Sequence, residues 1–167
     1  DVMAVVRSRV PDVELVIVGE GSERDRIVDV IRGHDAEPWV RLPGRITDAE
    51  MRDLYRSSWA VASASTREGW GMTLTEGAAC GTPGIASDIP GHADAISAGR
   101  SGLLGTTNAE LADAMTSLLT DVELRTRLQE GALARAGELT WEHAALANFE
   151  IIAADAIARS RRKSARR

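Results

Sequence analysis

The chain has 167 residues, 44% hydrophobic and 27% charged, which is enough apolar material for one domain and too much for a disordered segment. Its net charge is −5, yet six of its 20 basic residues crowd into residues 159–167, so the remainder is acidic, which argues against a nucleic-acid partner. A single cysteine, Cys80, excludes an internal disulfide framework and a Cys-based zinc cluster.

Asp1–Arg9 reads as the last turns of a helix, with Pro11-Asp12 turning into the strand Val13–Gly19. That strand is short, β-branched and almost continuously apolar, which suits a central parallel strand buried on both faces. A parallel sheet rarely opens on a crossover helix, so a further strand is expected upstream. Gly19-Glu20-Gly21 then makes a tight turn. Ser22 is expected to cap a helix reaching Gly33, with Ile27, Val28, Val30 and Ile31 on its buried side.

A second strand is expected at Trp39–Leu42, closed by Pro43-Gly44. Thr47 and Glu50 have capping-box spacing and open a helix to about Ser57. Trp59–Ala64, Gly84–Ser87 and a short run near Gly102–Leu104 supply three more strands. Thr107 and Glu110 form a second capping box. Helices at about 122–136 and 141–158 follow, the last one opened by Thr140 and stapled to the body by Trp141. Alternating strands and helices with a helical finish predict an α/β, Rossmann-like, doubly wound parallel sheet. We expect one domain over residues 1–158 and a disordered, solvated basic tail over 159–167. No basic start followed by an apolar stretch is present, so no signal peptide is expected. With the lone cysteine, this points to a cytoplasmic setting.

The densest functional signal is Ser65-Thr66-Arg67-Glu68-Gly69-Trp70-Gly71-Met72-Thr73-Leu74-Thr75-Glu76-Gly77, ending on Gly81-Thr82-Pro83. It follows a predicted strand, where open α/β sheets bind their ligands. Gly69 and Gly71 remove side chains at the strand-to-helix corner. A helix starting near Met72 then aims free N–H groups and its positive end at that point, an arrangement suited to a phosphate or diphosphate. Glu68, ahead of the corner, can reach a polar ligand; Glu76, one helical turn in, can return to accept hydrogen bonds from a diol. Spacing alone does not distinguish this pair. Three glutamate pairs eight apart occur where chance gives about one. Only Glu68/Glu76 has the Gly-x-Gly corner.

These residues resemble the signature of retaining glycosyltransferases of the GT-B fold, family four. Leu15–Gly21, Val40–Gly44 and Asp88-Ile89-Pro90-Gly91-His92 leading to Gly102-Leu103-Leu104 agree in order and distance. The resemblance covers about residues 1–155 and implies the nucleotide-binding, C-terminal half of a two-domain enzyme. By that likeness Glu68 holds the donor sugar and is the residue on which transfer depends, and Glu76 binds the ribose. Backbone N–H groups around Gly71, Met72 and Thr73 hold the diphosphate, with Leu74 lining the same turn and Gly69 and Trp70 also binding the donor. Leu42, Gly44 and Arg45 lie against the base.

The resemblance also implies that no metal or other cofactor is needed, that an acceptor-binding N-terminal domain is missing, and that transfer is by front-face substitution. The family's diphosphate-gripping Arg and Lys have no matching segment, and its Gly-Gly-x-x-Glu reads here as Pro90–Asp94. Two alternatives remain beside it: a nucleotide-sugar epimerase of the same fold, and a non-catalytic nucleotide-sugar module. His92 lies near a helix start, within reach of a ligand, whereas His34 and His143 read as surface or cap residues. The tail offers peripheral contact with an anionic inner membrane face.

Overall fold

The computed structural model describes residues 1–164. Its elements run α1 (Val2–Arg9), β1 (Leu15–Val18), α2 (Arg24–Gly33), β2 (Val40–Gly44), α3 (Asp48–Ser57), β3 (Val61–Ser63), α4 (Met72–Ala79), β4 (Gly84–Ser87), α5 (Pro90–Ala95), β5 (Gly102–Gly105), α6 (Asn108–Thr120), α7 (Val122–Glu138) and α8 (Trp141–Ser164). All described strand pairs are parallel. This is the expected α/β architecture, in which helices return the chain to the start of each strand.

The strands divide into a pair, β1-β2, and a triplet, β3-β4-β5. β4, between two partners, has Gly84, Ile85 and Ala86 buried. β1 is only half-buried along its length, against the expectation of a strand covered on both faces. The cause lies at its free edge. Leu15 and Gly19 direct their N–H groups to Trp39 O and Gly44 O of the β2 side. By strand alternation Val16 and Val18 direct theirs the other way. On β3, Val61 N–H reaches Pro83 O, so Ala62 points away from β4. A cleft of about 770 Å³ lies along these two edges, lined by Leu15–Val18 and Trp59–Ala62.

The core has two centres. Leu74, Ala86, Ala95 and Ile96 cluster where α4 and α5 meet β4. Ile85, Leu111, Leu118 and Leu128 cluster on the opposite side, under α6 and α7. This burial of aliphatic side chains is what holds the layers together. Arg135 of α7 then donates to Asp94 O and Ala95 O, fastening α5 in place.

Several element ends differ from expectation for local reasons. Both capping boxes form, Thr47 with Glu50 and Thr107 with Glu110. α2 instead starts at Arg24 with Glu23 as its cap position, so Ser22 caps nothing, and Val30 stays exposed. Trp141 staples nothing: it is 88% exposed at the start of α8, although Thr140 Oγ1 does accept from His143 N–H. α8 runs past 158 through Ser164, into the stretch expected to be disordered, while 165–167 lie outside the described residues. None of the described helices is long and apolar enough to cross a membrane.

Candidate functional site

The glycine corner after β3 is held open from below. Gly71 caps α4 in the left-handed region, at φ 73° and ψ 55°. A Cβ there would approach His92 Cδ2 and Leu74 Cδ1 to 3.1 Å, so glycine is required for both conformation and space. Gly91 is as constrained, because a Cβ on it would run into the carbonyl of Glu68. The start of α5 thus supports the Glu68–Gly71 turn with backbone packed on backbone.

The helix end is correspondingly available. Leu74 and Thr75 donate their N–H groups to Gly71 O, while those of Met72 and Thr73 have no partner among the described residues. Met72 and Thr73 are exposed. Two free N–H groups and the positive end of the helix therefore face solvent together, the geometry an anion needs.

Glu68 sits on the rim. Its Oε1 accepts from Gly69 N–H at 3.2 Å and its Oε2 from Ser65 Oγ at 3.5 Å. Glu76 is exposed one turn into α4, on the same helical face as Met72, and its Cβ tilts back toward the corner. Tyr55 of α3 donates its hydroxyl to Glu76 Oε2 at 3.0 Å. Burial first, and the Glu76 carboxylate second, push the Tyr55 hydroxyl well above its ordinary value, so it stays a donor. Thr82 Oγ1 bonds Tyr55 O in turn, at 2.6 Å, which fixes α3 against α4.

Of the expected residues, Glu68, Gly69, Trp70, Gly71, Met72 and Thr73 form one continuous exposed corner around the buried Gly71, with Glu76 behind it. Leu74 differs: its side chain is 2% exposed and belongs to the core, so it shapes the turn from inside instead of lining it. Leu42 and Gly44 lie at the end of β2 beside the Gly19-Glu20-Gly21 turn. Gly44 O accepts from Gly19 N–H, and Leu42 lines a second cleft of about 250 Å³ with Ile17–Gly21. No described hydrogen bond joins Leu42, Gly44 or Arg45 to the α4 corner. The larger cleft, between the strand edges, touches the corner only at Thr73.

Reading the sequence missed Tyr55, 21 positions from Glu76, because only the packing of α3 on α4 brings the two together. His92 was visible as a ligand candidate. It proves to be fully buried, with Nδ1 on Ser87 and Nε2 without a partner. Among the described residues no three His, Cys, Asp or Glu side chains are grouped to hold a metal ion.

Comparison with known proteins bears directly on this corner. Residues 1–135 match the family model described as glycosyl transferases group 1. The D-inositol 3-phosphate glycosyltransferase of Stackebrandtia nassauensis is 33% identical over 147 residues, covering 81% of this chain and 32% of that protein. The UDP-N-acetylglucosamine–peptide N-acetylglucosaminyltransferase GtfA subunit of Streptococcus parasanguinis is 31% identical over 103 residues, covering 61% and 20%. Among solved structures, a mutant of S. aureus TarM in complex with fondaparinux, alpha-GlcNAc-glycerol and UDP superposes with a TM-score of 0.80 at 25% identity. That match covers 89% of this chain and 30% of TarM. The sucrose-phosphate synthase from Thermosynechococcus elongatus superposes at 0.75 with 25% identity, covering 94% and 42%. The chain spans about a third of the length of the curated relatives it matches.

Proposed function

The chain belongs to the glycosyl transferases group 1, and on that premise we propose that residues 1–158 form the donor-binding domain of a retaining glycosyltransferase. The complete protein moves a sugar from a nucleotide-diphosphate donor to an acceptor hydroxyl supplied by a second, acceptor-binding domain. The observation that carries this reading is the exposed corner at α4, where the free N–H groups of Met72 and Thr73 adjoin Glu68 and Glu76. UDP in the TarM complex supports a nucleotide diphosphate as the donor's carrier.

In this reading the helix N-terminus neutralises charge developing on the leaving diphosphate, without a metal. Glu68 holds hydroxyls of the sugar, Glu76 holds the ribose, and the leaving phosphate takes the acceptor's proton during front-face substitution. The end of β2 at Leu42–Arg45 receives the base. The basic stretch 159–167, together with the exposed Phe149, Ile152 and Ile157 of α8, gives the protein a peripheral hold on an anionic membrane from the cytoplasmic side.

Binding of UDP-glucose and of UDP to the chain tests the roles of the two acids. Removing the Glu68 carboxylate by Glu68→Ala removes charge-assisted hydrogen bonds worth about 1.5–3 kcal/mol. UDP-glucose then binds roughly ten- to a hundredfold more weakly, while UDP is unaffected. Glu76→Ala weakens both ligands alike. Equal weakening of UDP and UDP-glucose by Glu68→Ala would remove Glu68 from the sugar, and binding of neither ligand by the unaltered chain would remove the donor reading.

A further inference from the structure

The imidazole of His92 is completely buried, and its neighbours settle which nitrogen carries the proton. Ser87 Oγ gives its one hydrogen to Ser65 O, at 2.6 Å, so toward His92 it can only accept. Ser87 O accepts as well. These two oxygens lie 3.1 and 2.9 Å from Nδ1. Nδ1 is therefore the N–H donor, and Nε2 of the neutral ring is a bare lone pair. That nitrogen is shut off from solvent and has no hydrogen-bond partner. A dry, unpartnered acceptor is a cost that native structures rarely carry without a reason.

Its position supplies the reason. Cδ2, the ring carbon bonded to Nε2, lies 3.1 Å from where a Cβ on Gly71 would stand. Gly71 is the cap of α4, so the unpartnered nitrogen sits immediately beneath the turn whose N–H groups face the ligand. The charged residues of the surrounding elements leave it free. The turn carries Arg67 and Glu68, and α4 carries Glu76, which is engaged by Tyr55. Asp88 and Asp94 flank His92 along the chain, and Arg135 of α7 bonds the carbonyls of Asp94 and Ala95. β3, β4 and β5 contain no charged residue. None of these groups reaches Nε2.

We propose that His92 is a proton-coupled residue of the donor site: when the diphosphate of a nucleotide sugar settles on the N-terminus of α4, Nε2 takes one proton from solvent and the imidazolium supports the anion from below. This rests on the donor reading above. A diphosphate bound next to the ring is the charge that favours its protonated form. Imidazole is the side chain whose charge responds to such a change near neutral pH. Only the N–H bond at Nε2 is made, and buffer is the proton source. By linkage, the donor binds more tightly at lower pH, and its affinity falls as pH rises through the titration of the occupied site.

UDP-glucose is the probe, because its diphosphate is a diester with no proton to exchange near neutrality. Titration calorimetry on the full chain at about pH 7.5, above the ordinary imidazole range, in two buffers of different ionisation enthalpy, reads protons taken up per ligand bound. A substantial fraction of one proton is expected, with Kd rising several-fold between about pH 6.5 and 8.5. His92→Asn retains an N–H for Ser87 and cannot be protonated. It should take up no proton and show a flat pH profile. Zero uptake by the unaltered chain, or the same uptake by His92→Asn, overturns the proposal. Should that variant fold poorly, the Cε1 resonance of His92 in the unaltered chain gives the answer: it moves to the charged form on adding UDP-glucose, and an unmoved resonance is decisive against. Absence of UDP-glucose binding removes the donor reading, whereas binding without proton uptake removes only the role of His92.

Discussion

Gly71 is the residue on which the corner turns. Its left-handed φ of 73° costs an ordinary L-residue about 1–2 kcal/mol. The 3.1 Å approach to His92 and Leu74 adds crowding from two side chains that are themselves buried and cannot retreat. Gly71→Ala is therefore expected to lower the melting temperature by several degrees and to weaken UDP binding at least tenfold, because the free N–H groups of Met72 and Thr73 move with the cap. Unchanged UDP affinity in a folded Gly71→Ala protein would detach the helix end from ligand binding. The glycines and acids of this corner were legible from their order along the chain. The restraint on Glu76 by Tyr55 was not, and neither was the inward turn of Leu74. Both depend on which face of α4 meets the body, and its small residues Gly77, Ala78 and Ala79 do not mark that face.

At the scale of elements, local chemistry predicted helix starts well wherever a side chain could cap the backbone by itself. Thr107 Oγ1 accepts from Glu110 N–H, and Glu110 Oε2 accepts in return from the N–H groups of Thr106 and Thr107. These bonds, chiefly from the Thr106 hydroxyl, hold the Glu110 carboxyl below its ordinary value of 4.5; the backbone and hydroxyl of Thr47 do the same for Glu50. A lowered carboxyl contributes stability that is complete above the unfolded value and is lost as pH falls through the folded one. The starts of α3 and α6 should thus loosen together below about pH 4.5. Thr107→Ala should cost about 1 kcal/mol at neutral pH, roughly 2–4 °C in melting temperature. Melting curves across pH test both effects, and a Thr107→Ala protein as stable as its parent would show that tertiary packing alone sets this helix. Strand ends were less legible. β3 is Val61–Ser63 where Trp59–Ala64 was expected, because only the residues opposite β4 find a hydrogen-bond partner.

For the whole molecule, the open question for experiment is the cleft between the two groups of strands. Val16, Val18 and Ala62 turn their backbone N–H groups into it, whereas Leu15 and Val61 bond across to β2 and β4. Hydrogen exchange should find the first three about a hundredfold less protected than Leu15 and Val61. Equal protection would mean that β1 and β3 pair directly in solution. The other large surface is α8, whose Leu146, Phe149, Ile152 and Ile157 are exposed. Deleting residues 159–167 should abolish sedimentation with anionic vesicles at low salt, since screening and loss of charge act on the same attraction. Undiminished sedimentation would dismiss the membrane proposal.

What the amino-acid order determined by itself was whatever is settled within about one helical turn or one strand: the parallel α/β alternation, the capping boxes, and the glycine corner with its two acids. Those features arise from backbone conformation and hydrogen bonds between near neighbours, which a linear pattern records. The partition of the strands, the exposure of Trp141, the bond from Tyr55 to Glu76 and the unpartnered nitrogen of His92 were decided only in three dimensions. Each depends on which distant surface excludes water from a group, and that is a property of the packed layers.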